Sequence, residues 1–230
     1  MKSILTSYFL DKGKKCGYTE RAIGVGHKDM TCARDRYNFL RRERTVHSRS
    51  TFVVMRGYPG TGKSTIARAI AARLHAPLID RDILRQKAVD IFGDLPEVGR
   101  FSYEMMFALV AEQLELGLSV VVDTPLTYRT TYEQSRELAK AFDMPILVVH
   151  CQCSAEVQRR RLEGRKGKVS RFQITSWEEW MQWKPLFEQF ETEGCVIDTA
   201  NPLDDSLAKV MRTIHELHAQ ESLYSDKPRI

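Results

Sequence analysis

The sequence predicts a three-layer α/β/α sandwich with about five parallel strands. From residue 51 onward, short apolar runs alternate with segments whose apolar residues recur at helical spacing. Strand–helix–strand units of this kind form right-handed crossovers, so the strands are parallel and helices cover both faces of the sheet. With 230 residues and 43% hydrophobic content, the chain is long enough for one such domain, and a second full domain would be hard to fit.

The predicted strands are short apolar runs, bounded by glycine, proline or charged residues. The run that ends at Asp123 has the clearest strand pattern, and the first run leads into a glycine-rich turn. The five predicted strands cover residues 51–56, 77–80, 118–122, 145–150 and 195–198.

The predicted helices show apolar stripes or capping signals. Gly93 and Gly117 each break a helical pattern. Ser154 is a candidate N-cap, and Ser176 with Glu179 forms a capping-box pattern. The predicted helices cover residues 64–74, 82–92, 102–116, 127–142, 154–163, 176 to about 190, and 203–218.

Residues 57–64 read GYPGTGKS and match the Walker A pattern GxxxxGK[ST] without deviation. They lie between a predicted strand and an amphipathic helix, where inward-pointing N–H groups and a helix N-terminus bind phosphate oxygens. Lys63 brings positive charge to the β- and γ-phosphates, and the Ser64 hydroxyl can bind Mg²⁺. We therefore predict binding of ATP, or a similar nucleotide, with Mg²⁺. The predicted nucleotide-binding residues are Gly57, Tyr58, Pro59, Gly60, Thr61, Gly62, Lys63, Ser64 and Thr65.

The second strand leads into residues 78–85, LIDRDILR. Carboxylates at the C-terminal end of a parallel strand lie at the sheet edge where α/β proteins bind ligands. One of them could accept a hydroxyl proton from an acceptor that faces the γ-phosphate. Arg81 and Arg85 could hold an anionic or polyhydroxyl acceptor. The alternative is that Asp80 or Asp82 caps the following helix in contact with solvent.

The third strand ends in Asp123-Thr124. An aspartate at this position can support Mg²⁺ or position an arginine. Motor-type ATPases usually have glutamate after this aspartate to activate water, so Thr124 favours transfer over hydrolysis. The alternative role of Asp123 is helix capping. Arg129 follows at the same edge and is a further candidate for substrate contact.

A basic segment, QRRRLEGRKGK at residues 158–168, follows the fourth strand. Arg161 and Arg165 are four residues apart and share a helix face. Arginines on such a flap can close over phosphates and offset the charge that develops during transfer. We expect an arginine-rich lid over about residues 159–175, with Arg159 and Arg160 on a solvated face.

These four blocks together resemble the AAA-type small P-loop kinases, a family of P-loop NTPase fold. The family is related to polynucleotide 5′-hydroxyl kinases and, more distantly, to adenylylsulfate, gluconate and chloramphenicol kinases and zeta-toxin kinases. The resemblance implies that Asp82 is the general base, that Arg85 lies near the acceptor and that Arg165 contacts the γ-phosphate. The expected catalytic set is Lys63, Asp82, Arg161 and Arg165, and Arg85 is expected to bind the substrate. The resemblance also implies that residues 199–202 lie near the adenine.

We therefore expect an ATP-dependent kinase that phosphorylates a hydroxyl group of a small molecule. A polynucleotide or nucleotide kinase and a nucleotide-binding protein without transfer activity stay open as alternatives. The kinase domain is expected over residues 51–220, followed by a tail at 221–230.

Residues 1–50 are expected to form an irregular or partly helical basic extension, with 12 Lys and Arg against 5 Asp and Glu. Such an extension could contact nucleic acid, although a solvated tail is the more common role. None of the five cysteines has the paired spacing of a disulfide framework or a zinc site, and no apolar stretch is long enough to span a membrane. Both observations favour a cytoplasmic protein without membrane contact. An organelle transit peptide stays open, although acidic residues lie among the basic ones.

Overall fold

The structure, a computed structural model, describes residues 50–164, 174, 176–187 and 190–225. Its strands are β1 (Phe52–Arg56), β2 (Leu78–Asp80), β3 (Val120–Asp123), β4 (Ile146–Gln152) and β5 (Cys195–Asp198). Its helices are α1 (Lys63–Leu74), α2 (Arg81–Phe92), α3 (Val98–Glu115), α4 (Arg129–Ala141), α5 (Ala155–Glu163), α6 (Trp177–Trp183) and α7 (Leu203–Ser225). A 3₁₀ turn, Lys184–Leu186, follows α6.

The five strands form one parallel sheet in the order β2-β3-β1-β4-β5. Successive side chains of β1 point to opposite faces, as the pleat requires. Phe52 and Val54 pack in one cluster with residues of α3 and α4, whereas Val53 and Met55 pack in another with residues of α1 and α7. Helices therefore cover both faces of a buried sheet, and the predicted three-layer sandwich is confirmed.

Some boundaries differ from the prediction. Helix α6 ends at Trp183 instead of near residue 190, because Pro185, which has no amide hydrogen, follows within the 3₁₀ turn. Helix α3 begins at Val98, four residues before the predicted start, since the buried Val98 side chain extends the apolar face of the helix. Strand β4 continues to Gln152, two residues beyond its predicted end.

Several predictions concern residues outside the described part of the chain. They are the form of the basic extension over residues 1–49, the role of Arg165, and most of the lid, over residues 165–173. Within the described part, none of the helices combines the length and the apolar character that crossing a bilayer requires.

Candidate active site

Hydrogen bonds to the carbonyl oxygen of Tyr58 hold the glycine-rich turn between β1 and α1. The amide and the hydroxyl of Thr61 donate to this oxygen at 3.2 and 2.7 Å, and Lys63 Nζ donates to it at 3.0 Å. Gly60 and Gly62 have φ angles of 81° and 82°, which glycine adopts without strain. The predicted phosphate-binding turn therefore has the left-handed main-chain positions that its glycines allow.

Helix α1 begins at this turn, and no side chain caps its N-terminal end. Gly62 is its N-cap and has no side chain to accept from the first-turn amides, and no acidic residue lies in the first turn. The exposed N–H dipoles at such a helix start attract anions. The start of α1 thus suits a phosphate group.

A cavity of about 500 Å³ opens over the turn. Its volume lies in the usual range of small-molecule sites. One side is formed by residues of the turn and of the start of α1, and the other by α5 and the loop after β5. The lining includes Gly60, Gly62, Lys63, Ser64, Thr65, Arg161, Thr199 and Asn201.

Arg161 lies at the edge of this cavity and binds the loop after β5. Its Nη1 donates to Thr199 Oγ1 at 2.8 Å, and its Nη2 donates to the Thr199 carbonyl at 2.7 Å. The structure thereby joins two features that the sequence suggested separately, the arginine-rich segment and residues 199–202. Arg159, by contrast, is exposed and pairs with Glu163 at 2.8 Å, as expected for a solvated face.

The carboxylates lie at the C-terminal edge of the sheet. Asp80 and Asp123 are register partners at the ends of β2 and β3. Asp80 Oδ1 accepts from the amides of Asp82 at 2.9 Å and Ile83 at 3.3 Å, so Asp80 is the cap of α2. Burial raises the pKa of Asp80, and the neighbouring charges of Asp123 and Asp82 raise it further. The capping alternative therefore belongs to Asp80.

Asp82 is left with its carboxylate at the surface. Its side chain is 42% exposed, and Oδ1 lies 3.1 Å from Nη1 of the buried Arg81. The Arg81 guanidinium also lies 4.5 Å from the ring centre of Tyr103. Its Nε is buried and has no hydrogen-bond partner among the described residues. An unsatisfied buried donor is costly, so this position suits a ligand that accepts a hydrogen bond.

Arg85 is also buried and donates to Asp94 Oδ1 at 2.7 Å. Arg81 and Arg85 thus lie on the first two turns of α2, next to Asp82, and the helix begins one residue before its predicted start. The contact of Tyr103 with Arg81 was not predicted. Tyr103 lies within the predicted helix over residues 102–116, and no local pattern indicated this contact.

Arg129 has a different neighbourhood. Its guanidinium lies 5.6 Å from the ring centre of Phe190, and the guanidinium of Arg56 lies 4.2 Å from the same ring. Arg56 also donates to the Phe190 carbonyl at 2.7 Å and to Thr192 Oγ1 at 3.0 Å. Burial lowers the pKa of Arg56. Its position directly before the glycine-rich turn was the only sequence signal for this cluster.

Helices α5 and α6 support the glycine-rich turn from outside. Gln158 Nε2 donates to the Pro59 carbonyl at 2.7 Å. The Tyr58 ring lies 4.8 Å from the Trp180 ring and 5.8 Å from the Phe187 ring. Trp180 is 1% exposed, so it packs in a core beneath the turn.

Two side chains carry oxygens of the kind that Mg²⁺ binds. Ser64 offers a hydroxyl in the cavity, and Asp123 offers a buried carboxylate at the end of β3. Within the described ranges, no group of three or more His, Cys, Asp or Glu side chains is placed to hold a metal by itself. Mg²⁺ does not require one, because it usually binds through one or two protein oxygens together with phosphates and water.

The family model described as "AAA domain" (AAA_33) matches residues 52–190. No curated protein matches the chain in sequence. A gluconokinase from Sinorhizobium meliloti 1021 is similar in structure, with 22% identity, a TM-score of 0.55 and coverage of 78% of this chain and 98% of that one.

An APS kinase from Mycobacterium tuberculosis, solved in complex with AMPPNP and APS, has 16% identity and a TM-score of 0.55, covering 73% of this chain and 98% of that one. A sugar kinase from Janibacter sp. HTCC2649 has 18% identity and a TM-score of 0.54, covering 72% and 95%. At these identities the likeness shows a shared fold.

Proposed function

This chain belongs to the AAA-domain family, and on that premise we propose that it transfers the γ-phosphoryl group of ATP to a hydroxyl group of a small molecule. One observation carries the proposal. A phosphate-binding turn with its lysine opens into a cavity, and the helix that follows the next strand begins with a surface carboxylate, Asp82, and two buried arginines. The kinases of similar fold support it.

The nucleotide is proposed to bind with its phosphates on the turn of residues 57–64 and on the start of α1. Lys63 and the main-chain amides would neutralise and orient the β- and γ-phosphates. Ser64 and Asp123 would hold Mg²⁺, which supplies positive charge to the phosphates when bound. The nucleoside would extend towards Thr199 and Asn201, which line the same cavity.

The acceptor is proposed to lie beside Asp82. The Asp82 carboxylate accepts the proton of the acceptor hydroxyl, the oxygen forms a bond to the γ-phosphorus, and the bond to the β–γ bridging oxygen breaks to release ADP. Arg81 and Arg85 hold the acceptor on α2, since a guanidinium binds carboxylates and phosphates in a planar, bidentate manner. Arg129 is proposed as a further contact to the acceptor.

Arg161 and Arg165 are proposed to act on the transferring group. Arginines near the γ-phosphoryl group stabilise the charge that develops on its oxygens and help to exclude water. Arg161 lines the nucleotide cavity, which supports its part of this assignment. The role of Arg165 rests on its spacing four residues further along the chain and on the resemblance to the small P-loop kinases.

The proposal can be tested with labelled ATP and a panel of metabolites and antibiotics, with phosphorylated products identified by mass spectrometry. Once an acceptor is found, Asp82→Asn should lower the transfer rate by about 100-fold or more, because the general base is lost. The dissociation constant for ATP should stay within about twofold, because the change leaves the phosphate-binding turn intact.

Asp90→Asn is a matched control for Asp82→Asn. Both side chains lie on α2, are 42–43% exposed and pair with a cation, yet Asp90 lies at the far end of the helix. Asp90→Asn should leave transfer unchanged. Equal rates for the two variants would contradict the role of Asp82, and no phosphorylated product from any acceptor would contradict transfer itself.

A further inference from the structure

Thr199 makes the contact between the loop after β5 and the phosphate-binding turn. Its side chain is buried, and its Oγ1 donates to the main-chain carbonyl of Thr61 at 2.8 Å. The same oxygen accepts from Arg161 Nη1 at 2.8 Å. One hydroxyl therefore connects the arginine of α5 with the peptide group that joins Thr61 to Gly62.

Arg161 limits the directions in which the Thr199 hydroxyl can donate its hydrogen. Because its guanidinium occupies an acceptor position of Oγ1, the single hydroxyl hydrogen is directed towards one of the other neighbours, which are two main-chain carbonyls and the Cys153 sulfur. The Thr61 carbonyl is the nearer of the two carbonyls, since the Gln152 carbonyl lies 3.3 Å away. Polarisation by the guanidinium strengthens the bond to Thr61.

The bond to the Thr61 carbonyl also sets the direction of the next amide. A peptide group is planar and trans, so its N–H points opposite to its C=O. When the Thr61 carbonyl is held on Thr199, the Gly62 N–H is turned away from Thr199. Gly62 adopts a φ of 82°, and glycine tolerates many conformations, so glycine alone does not fix this peptide plane.

The fit around Gly62 shows that these groups form one packed unit. A Cβ atom added at Gly62 would lie 3.2 Å from Thr199 Oγ1 and 3.3 Å from Arg161 Nη1. Gly62 also lines the cavity together with Lys63 and Ser64. The residue that carries this amide thus lines the cavity in which the phosphates are proposed to bind.

We propose that Thr199 is a positioning residue that fixes the Thr61–Gly62 peptide plane, so that the Gly62 N–H donates to the bound triphosphate. The inference rests on the nucleotide-binding part of the proposed function and deepens it. It assigns to the loop after β5 a role in phosphate binding, in addition to its place beside the nucleoside. It requires no particular acceptor.

The test compares Thr199→Val, which replaces the hydroxyl with a methyl group of similar size, with Thr199→Ser, which keeps it. Binding of ATP with Mg²⁺ is measured by calorimetry on the full chain. Thr199→Val should raise the dissociation constant about tenfold, the typical effect of a lost charge-assisted hydrogen bond. Thr199→Ser should stay within about twofold. Equal weakening in both variants would overturn the proposal, because it would show that only packing matters.

A second readout follows the Gly62 amide directly. In protein labelled with ¹⁵N-glycine, the Gly62 resonance should move in Thr199→Val, even without nucleotide, and stay near its original position in Thr199→Ser. An unmoved resonance in Thr199→Val would overturn the proposal. Thermal unfolding of both variants shows whether they are folded, since a merely structural role would lower the melting temperature without moving this one amide.

The two readouts separate this inference from the proposed function. If the unaltered chain binds ATP but phosphorylates no acceptor, transfer is contradicted, while the calorimetric comparison still decides the role of Thr199. If Thr199→Val binds ATP as the unaltered chain does, only this inference fails. If the unaltered chain binds no ATP, the proposed function fails and so does the donation to triphosphate inferred here.

Discussion

At the scale of single residues, Asp80 and Asp82 divide two tasks that the sequence could not separate. Asp80 accepts the first amides of α2 and is partly buried beside Asp123, whereas Asp82 keeps a surface carboxylate paired with Arg81. Burial and neighbouring carboxylates raise the pKa of Asp80. Its charge is therefore unfavourable in the fold, although its oxygen is a favourable helix cap.

This conflict gives a prediction for Asp80→Asn. Asparagine caps a helix about as well as aspartate, but it carries no charge. At neutral pH the variant should be at least as stable as the unaltered chain, in free energy of unfolding measured with urea. Asp80→Ala, which lacks the cap, should be about 1 kcal/mol less stable than Asp80→Asn.

The sign of the pH dependence follows from the raised pKa of Asp80. A raised pKa means that the folded protein binds the proton more readily than the unfolded chain does. The unfavourable charge is then lost as the pH falls through that pKa, so the advantage of Asp80→Asn should shrink from neutral towards acidic pH. An advantage that grows as the pH falls would contradict the burial argument.

Single residues were predictable where a local pattern fixed them. The residues of the GxxxxGK[ST] turn and the block around Asp82 are contiguous, so their spacing alone implied a common site. The partner of Arg161 was not predictable, because Thr199 is 38 residues away and the contact exists only after β5 has paired with β4. The stacking of Arg81 on Tyr103 depends in the same way on the packing of α2 against α3.

At the scale of secondary-structure elements, α5 and α6 are the support of the phosphate-binding turn. Leu162 of α5 and Trp180 of α6 form a small core with Ile174, and Tyr58 of the turn packs against it. The capping signals at Ser154 and at Ser176 with Glu179 predicted both helices. The short length of α6 was not predicted. The helix was expected to continue through Pro185 to about residue 190, but it ends at Trp183.

This small core predicts a difference between two tryptophans of α6. Trp180→Ala should lower the free energy of unfolding by about 3–5 kcal/mol, the usual cost of removing a buried aromatic side chain. It should also weaken ATP binding, because Tyr58 loses its neighbouring ring. Urea unfolding and calorimetry measure the two effects.

Trp177→Ala is the control on the same helix. Trp177 is half-buried and packs at the edge of the cluster, so its loss should cost about 1–2 kcal/mol and leave ATP binding within about twofold. If Trp180→Ala destabilises the protein but binds ATP normally, the cluster supports the fold and not the turn.

At the scale of the whole molecule, the sheet brings the parts of the site together at one edge. The phosphate-binding turn follows β1, Asp82 follows β2, Asp123 ends β3, Arg161 lies in the helix after β4, and Thr199 follows β5. Because the strands are parallel, their C-terminal ends meet at this edge. The fold class was predictable because alternating strands and helices leave few other arrangements.

The uneven distribution of charge along the chain leads to different expectations for two acceptor classes. Residues 1–50 hold 12 basic against 5 acidic residues, whereas residues 51–230 hold 23 against 25. A nucleic-acid end kinase would depend on the basic segment, because the rest of the chain has little net attraction for phosphate backbones. A small-molecule kinase would not depend on it.

Deletion of residues 1–49 distinguishes these classes. If the acceptor is a small molecule, we expect the truncated and full chains to transfer phosphate to it at rates within about twofold, with little change between about 50 and 200 mM salt. A 5′-hydroxyl oligonucleotide serves as the second acceptor. Three results together would identify nucleic acid as the substrate. The full chain would phosphorylate the oligonucleotide faster than any small molecule, this rate would fall steeply over the same salt range, and the deletion would abolish it. The truncated chain's affinity for ATP controls for folding, since both acceptor classes require the same nucleotide site.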